Sequence, residues 1–416
     1  MNSRERVLAA LNHRQPDRVP LDFGGHRSSG IMAIAYSNLK KALGIDSGDI
    51  YVYDMVQQLA IVEPIVLDRL GVDTIDLGRA FLRDRQAWKD WVLPDGTTCK
   101  IPTYINAVER GGDWYLMSDD GLDLAVQKRG SLYFDQLTWP LADRDFETDI
   151  FADLREAFGH CMWTAVPTPG WHIPLTDDGL RWLGEGARAL RDSTDRAIIG
   201  AFGGNMFEVP QFLFGMENYL TNMGMYPDAC LRLSEALCEV YEADLEKWLR
   251  AVGPYIDVVQ FGDDLGTQNG PLMSRAMYRS YFKPFHARLW KRAKELADVK
   301  VLLHSCGGIE PLLGELIDAG LDSVNPVQVS ARDMGARHLK DEFGGGLTFW
   351  GGGCDTQEVL PRCTPEQVRR HVREQISILN PGGGFIFNQV HNIQADVPAE
   401  NVLAMFDAVR GGEDEG

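Results

Sequence analysis

Two textures of hydrophobic spacing alternate along this chain. Short runs in which apolar side chains follow one another directly, such as Val301-Leu302-Leu303, read as strands buried on both faces. Between them lie longer stretches with apolar residues three and four positions apart, the spacing of helices with one buried face. The strand runs fall at residues 18–23, 74–77, 196–202, 256–261, 300–303, 323–325, 347–350 and 384–388. Helical spacing covers residues 3–13, 31–43, 57–70, 177–191, 206–213, 228–252, 275–297, 312–319, 333–343, 364–379 and 399–409. Ser3 is the expected N-cap of the first helix, without a capping box because Arg6 stands three positions on; Thr364 caps a later one, with Pro365 at its first position. Eight strands, each leading into helix, is the count of an α/β fold closed as a (β/α)8 TIM barrel; a doubly wound open sheet has the same alternation. One stretch breaks the rhythm. Residues 88–135, with turns at Pro94-Asp95-Gly96 and Gly111-Gly112, read as a β-rich hairpin insertion after the second strand. The expected organisation is a single barrel over residues 1–410 carrying that insertion, then an acidic, frayed tail at 411–416.

Composition narrows the function classes. Lys+Arg 41 against Asp+Glu 60 gives a net charge of −19 over 416 residues, which disfavours a nucleic-acid partner. No apolar run reaches membrane-spanning length, and the N-terminus has no apolar core of a signal peptide. The seven cysteines are unevenly spaced and do not make a disulfide framework. The expectation is a cytoplasmic enzyme acting on a small molecule, its cysteines reduced.

In a barrel, the C-terminal ends of the strands converge on one face. Here those ends carry His26 and Arg27, Asp76, Asn205, Asp263 and Asp264, His304 and Cys306, Asn325 and Gln328, Cys354 and Asp355, and His391-Asn392. Side chains alternate along a strand, so His304 and Cys306 point the same way. Cys354 follows Gly351-Gly352-Gly353 at the end of the seventh strand, two strands away and roughly 10 Å off by ordinary strand spacing. Alone, each cysteine reads as a small buried residue and His304 as a hydrogen-bonded core histidine. Together, two thiolates and an imidazole make a soft donor set suited to zinc, and three protein ligands leave a fourth position open, the catalytic pattern. The other cysteines lack such company and read as structural.

Several segments resemble the uroporphyrinogen decarboxylase superfamily. They are Arg4-Glu5-Arg6-Val7-Leu8-Ala9-Ala10-Leu11 with Pro16-Asp17-Arg18-Val19-Pro20, Gly262-Asp263-Asp264-Leu265-Gly266-Thr267-Gln268, His304-Ser305-Cys306-Gly307-Gly308 and His391-Asn392-Ile393-Gln394. The likeness covers most of the chain outside the insertion and implies a single barrel with a deep polar mouth. His304, Cys306 and Cys354 match the His-x-Cys plus distant Cys zinc ligands of that superfamily's corrinoid methyltransferase branch. Gly24-Gly25-His26-Arg27-Ser28 does not match the Arg-Gln-Ala-Gly-Arg stretch of the decarboxylases. The resemblance therefore implies a zinc-dependent methyltransferase working between a corrinoid (cobalamin) carried by a separate protein and a small thiol or methylated substrate. Asp264 and His391 are then expected to support or orient the reacting groups. His26, Arg27, Asn325, Gln328 and Asn392 are expected to bind substrate. The alternative is a metal-independent decarboxylase of uroporphyrinogen or another polycarboxylate. Whether the barrel pairs with a copy of itself stays open.

Overall fold

The structure, a computed structural model, describes residues 1–411; the remainder of the expected acidic tail lies outside the described residues. Seven strands form one parallel sheet. They are β1 (Thr74–Asp76), β2 (Ala197–Gly203), β3 (Val258–Gly262), β4 (Lys300–His304), β5 (Ser323–Asn325), β6 (Thr348–Trp350) and β7 (Phe385–Ile386), each beside the next. The segment around Leu21 joins the two edges. Phe387 N–H donates to Pro20 O and Asp22 N–H to Phe387 O, both at 2.8 Å, while Asp73 N–H donates to Leu21 O at 2.7 Å. The sheet thus closes as a barrel whose first member is a single bridge at Leu21, not the strand expected over 18–23. Pro20 carries no N–H and cannot extend a ladder.

The inner face of this barrel has its own small core. Ala197, Ile199, Val258, Leu302, Trp350 and Ile386 point inward, and Val7, Ala10 and Leu11 of α1 (Ser3–Leu11) close it from the N-terminal end. Full burial of each larger side chain contributes about 1.5–3 kcal/mol. The same parity that sends Leu302 inward sends His304 inward one step nearer the opposite, open end. Outward-facing Val259, Val301, Leu303, Val324, Phe349 and Phe385 pack under the helical layer.

Four local expectations need correction. Asn2, not Ser3, caps α1, and Glu5 completes a capping box with it; the register was off by one. The helix expected over 57–70 is confined to Pro64–Leu70, since Pro64 opens a new helix, and Gln58 takes a positive φ of 53° in the turn before it. The helix expected over 275–297 breaks at Phe282 into Arg275–Tyr281 and Lys283–Leu296, again beside a proline, Pro284. The helix expected over 206–213 runs from Glu208 to Phe214. Between β1 and β2, the insertion forms a two-stranded sheet (Trp88–Val92, Thr98–Pro102) and a four-stranded one from Ala107–Arg110 to Asp135–Gln136. Trp91 and Trp114, 4.2 Å apart between ring centroids, join the two.

Candidate metal centre

His304 ends β4 with its imidazole in the barrel mouth. Its Nδ1 lies 3.0 Å from both Asn325 Oδ1 and Ser28 Oγ. Asn325 Nδ2 donates to Trp350 O at 2.9 Å, which fixes Oδ1 as the acceptor facing His304. His304 Nδ1 is therefore the protonated nitrogen, and Nε2 keeps a free lone pair. That lone pair faces Cys306 Sγ at 3.5 Å.

The turn after β4 places the thiol. Ser305 N–H donates to Asn325 O at 2.6 Å, and Ser305 Oγ accepts Leu265 N–H at 3.1 Å. Cys306 N–H donates to Asp264 Oδ1 at 2.8 Å, and Gly307 N–H to Gln328 Oε1 at 2.8 Å. Gly307 has φ +92°, and a Cβ there would stand 2.5 Å from the Gly266 carbonyl carbon, so only glycine fits the turn. Burial first, then the Asp264 and Glu208 carboxylates, push the Cys306 thiol well above its ordinary range. Without a cation this thiol stays protonated.

His391 completes a cluster: one ligand atom each from His304, Cys306 and His391 lie within 4.8 Å of one another. Its ring meets that of His304 edge-on, with centroids 5.6 Å apart. Burial, and then His304, push the His391 pKa down to about 4, so its imidazole is neutral and able to donate a lone pair. Cys354, expected as the third ligand, is not in this cluster. It is fully buried beside Gln389 at the end of β6, its thiol 3.8 Å from Asp355 O. Burial, then Asp355, also raise that thiol's pKa.

Asp264 Oδ1, besides holding Cys306, lies 3.6 Å from His304 Nε2. Glu208, absent from the sequence reading, joins it at the mouth. Its carboxyl accepts from Asn205 Nδ2, and burial followed by Asp264 and Asp263 pushes its pKa well up. The sequence places Asn205 at a strand end and a helix over 206–213 beyond it, but nothing in that spacing marks Glu208 as facing Asp264. Asp263 is fully buried and takes Phe207 N–H, Glu208 N–H and His286 Nε2, so it anchors that helix start, α2 (Glu208–Phe214).

The expected substrate-binding residues divide. Asn325 is fully buried and its amide is spent on His304, Ser28 and Trp350; it orients the histidine. Gln328 braces Gly307 and donates to Gln268 Oε1 at 2.7 Å. Asn392 donates to Gln57 Oε1 at 2.6 Å. His26 is buried against Asp22 and Ser28. Arg27 is about a third exposed, paired with buried Asp54 and stacked over Trp163 at 5.6 Å. Tyr104 of the insertion lies within the electrostatic reach of Asp54 and Arg27, and its hydroxyl is buried with no hydrogen-bond partner among the described residues.

The arrangement matches a zinc ion chemically. Zinc bonded to nitrogen at about 2.0–2.1 Å and sulfur at about 2.3 Å in tetrahedral geometry separates those atoms by about 3.5 Å, the spacing that His304 Nε2 and Cys306 Sγ already have. Two neutral imidazoles and one thiol, beside two carboxylates, make a donor set for a borderline-soft cation.

The uroporphyrinogen decarboxylase (URO-D) family model matches residues 171–412, more than half the chain, covering His304, Cys306, Cys354, His391 and Glu208. A uroporphyrinogen decarboxylase of Alkalilimnicola ehrlichii is 23% identical over 259 residues, 61% of this chain and 68% of that protein. Among solved structures, a methyltransferase from Methanosarcina mazei superposes with a TM-score of 0.58 at 15% identity, covering 99% of both chains; a likeness at that identity speaks to the fold.

Proposed function

This chain belongs to the uroporphyrinogen decarboxylase family, and from that premise we propose that it is a zinc-dependent methyltransferase, moving a methyl group between a corrinoid carried by a separate protein and a small thiol or methylated substrate. The observation that carries this reading is the approach of His304 Nε2 to Cys306 Sγ at 3.5 Å with His391 alongside. That a solved protein of the same fold is a methyltransferase is consistent with this reaction class.

In this reading His304 and Cys306 hold the ion, and His391 is the third ligand that the geometry supplies. Cys354 competes for that place, but its thiol must first leave Asp355 O. Bound zinc would supply a positive centre that deprotonates thiols and lowers the energy of a substrate thiolate. The chain's own residues do the rest. Asn325 keeps the His304 lone pair on the mouth side, and Asp264 keeps the Cys306 turn closed. In this reading Arg27, about a third exposed, holds substrate, and Glu208 holds a proton near Asp264.

The deciding experiment is metal analysis with a methyl-transfer assay using methylcobalamin and a small thiol. Wild-type protein should hold about one zinc per chain and lose transfer on chelation; Cys306→Ala should hold little. His391→Ala and Cys354→Ala then name the third ligand, since only the true ligand's loss empties the site. Wild-type protein without zinc would sink the proposal.

A second reading, metal-independent decarboxylation of a polycarboxylate, is favoured by the curated relative named as a uroporphyrinogen decarboxylase. Against it, Arg27 is already neutralised by Asp54. It requires CO2 release that survives both chelation and Cys306→Ser.

A further inference from the structure

A continuous buried chain runs from Asp22 to the back of His304. Asp22 Oδ2 lies 3.1 Å from His26 Nε2. His26 Nδ1 is 2.9 Å from Ser28 Oγ, and Ser28 Oγ is 3.0 Å from His304 Nδ1. Asp22, His26 and Ser28 are 0%, 1% and 3% exposed, so none of these groups is there to meet solvent. Asp22 is pinned by Thr74 Oγ1 at 2.5 Å, Gly25 N–H at 3.0 Å and Trp350 Nε1 at 2.8 Å. Burial opposes its charge, but His26 and these donors prevail and lower its pKa.

The hydrogen count along this chain is restrictive. Ser28 Oγ has one hydrogen, and it goes to Asn325 Oδ1 at 2.8 Å, an oxygen already fixed as an acceptor. Ser28 Oγ therefore has only lone pairs left for His304, so His304 carries its proton on Nδ1. Asn325 accepts from His304 directly, and the Ser28 hydroxyl at the end of the Asp22–His26 chain favours the same tautomer. Packing alone would not need them. A carboxylate or other acceptor behind a metal-binding histidine sets its orientation and strengthens its donation to the ion.

We propose that Asp22, His26 and Ser28 are positioning residues that hold His304 as the Nδ1–H tautomer and aim its Nε2 lone pair at the proposed metal position. This deepens the zinc reading and rests on it. The test uses the full chain, stripped of metal and then titrated with Co2+ as a spectroscopic probe. Ser28→Ala should bind Co2+ 10–100-fold more weakly than wild type, with a shifted visible absorption band; Asp22→Asn should move both in the same direction. Equal affinity and an unchanged band in both variants would overturn the positioning role while leaving the metal site intact. Wild-type protein that takes up no Co2+ would overturn the metal reading, and this role with it. A measurement on metal-free wild type needs no variant to fold: ring 15N shifts of His304, assigned against His304→Gln, should report protonated Nδ1 and bare Nε2. A proton on Nε2 instead contradicts the proposal.

Discussion

Asp264 holds Cys306 by its backbone: Oδ1 accepts the Cys306 N–H at 2.8 Å. The turn it closes keeps the thiol facing His304, and the carboxylate stays close enough to both to favour a cation. Removing the acceptor frees the turn after β4, and losing such an outer-shell partner typically costs 10–100-fold in metal affinity. Asp264→Ala should therefore bind zinc about 10–100-fold more weakly. Asp264→Asn, which keeps an acceptor oxygen, should fall between it and wild type. Competition with a chromogenic chelator measures both; equal affinities for all three proteins would show that the turn holds without Asp264.

Asp263, one residue earlier, has a structural task with a functional result. It supplies the acceptor for two backbone N–H groups at the start of α2 and for His286, whose Nδ1 is 3.0 Å from the Tyr278 hydroxyl. Breaking a buried charged network by removing one partner costs about 3–5 kcal/mol. Asp263→Ala should lose stability of that order in denaturant unfolding. Because Glu208 rides on the same helix start, turnover should fall further than the unfolded fraction explains.

Much of this was legible from the chain. Strand-length apolar runs located seven barrel strands, and alternation along β4 put His304 and Cys306 on one side. What failed was local chemistry of prolines and caps: Pro20 reduced the first strand to a bridge, and Pro64 and Pro284 moved helix boundaries. At the site, strand-end logic could name Cys354 and His391 but not decide which side chain turns inward, because loops beyond a strand escape its alternation. Ser28 and Glu208 were hidden for a different reason. Their roles depend on partners 276 positions away in one case, His304, and on an Asp263 carboxylate 55 away in the other.

Two groups of opposite sign contribute to the acid response of the metal-free protein. The His391 pKa, about 4 in the fold, lies below the roughly 6.5 of an unfolded histidine. Between those values the unfolded chain binds the extra proton, so acid destabilises the fold. Burial raises Asp76 to about 6, above the roughly 3.9 of an unfolded aspartate. Through that window the folded chain holds the extra proton, so stability is lost as pH rises. Asp76→Asn removes only the second effect. In EDTA its thermal stability relative to wild type should improve from pH 4.5 to pH 7, a rise of about 2 kcal/mol at most. A constant difference across that range would show that Asp76 is not held protonated.

Arg27 tests the mouth as a binding surface. Its guanidinium pairs with Asp54, whose side chain is 1% exposed, and it covers the Trp163 ring. Arg27→Ala strands a buried carboxylate and should destabilise the protein by about 3 kcal/mol. Arg27→Ala with Asp54→Ala removes both charges and should recover most of that loss, the non-additivity expected of a contacting pair. Stability alone would make the pair structural. If Arg27 also holds substrate, the stable double variant should still show KM raised about tenfold, the worth of roughly 1.4 kcal/mol of lost binding, with kcat much less affected. A double variant with wild-type KM would confine Arg27 to neutralising Asp54, and the search for the substrate contact would move to Tyr104 and Asn392.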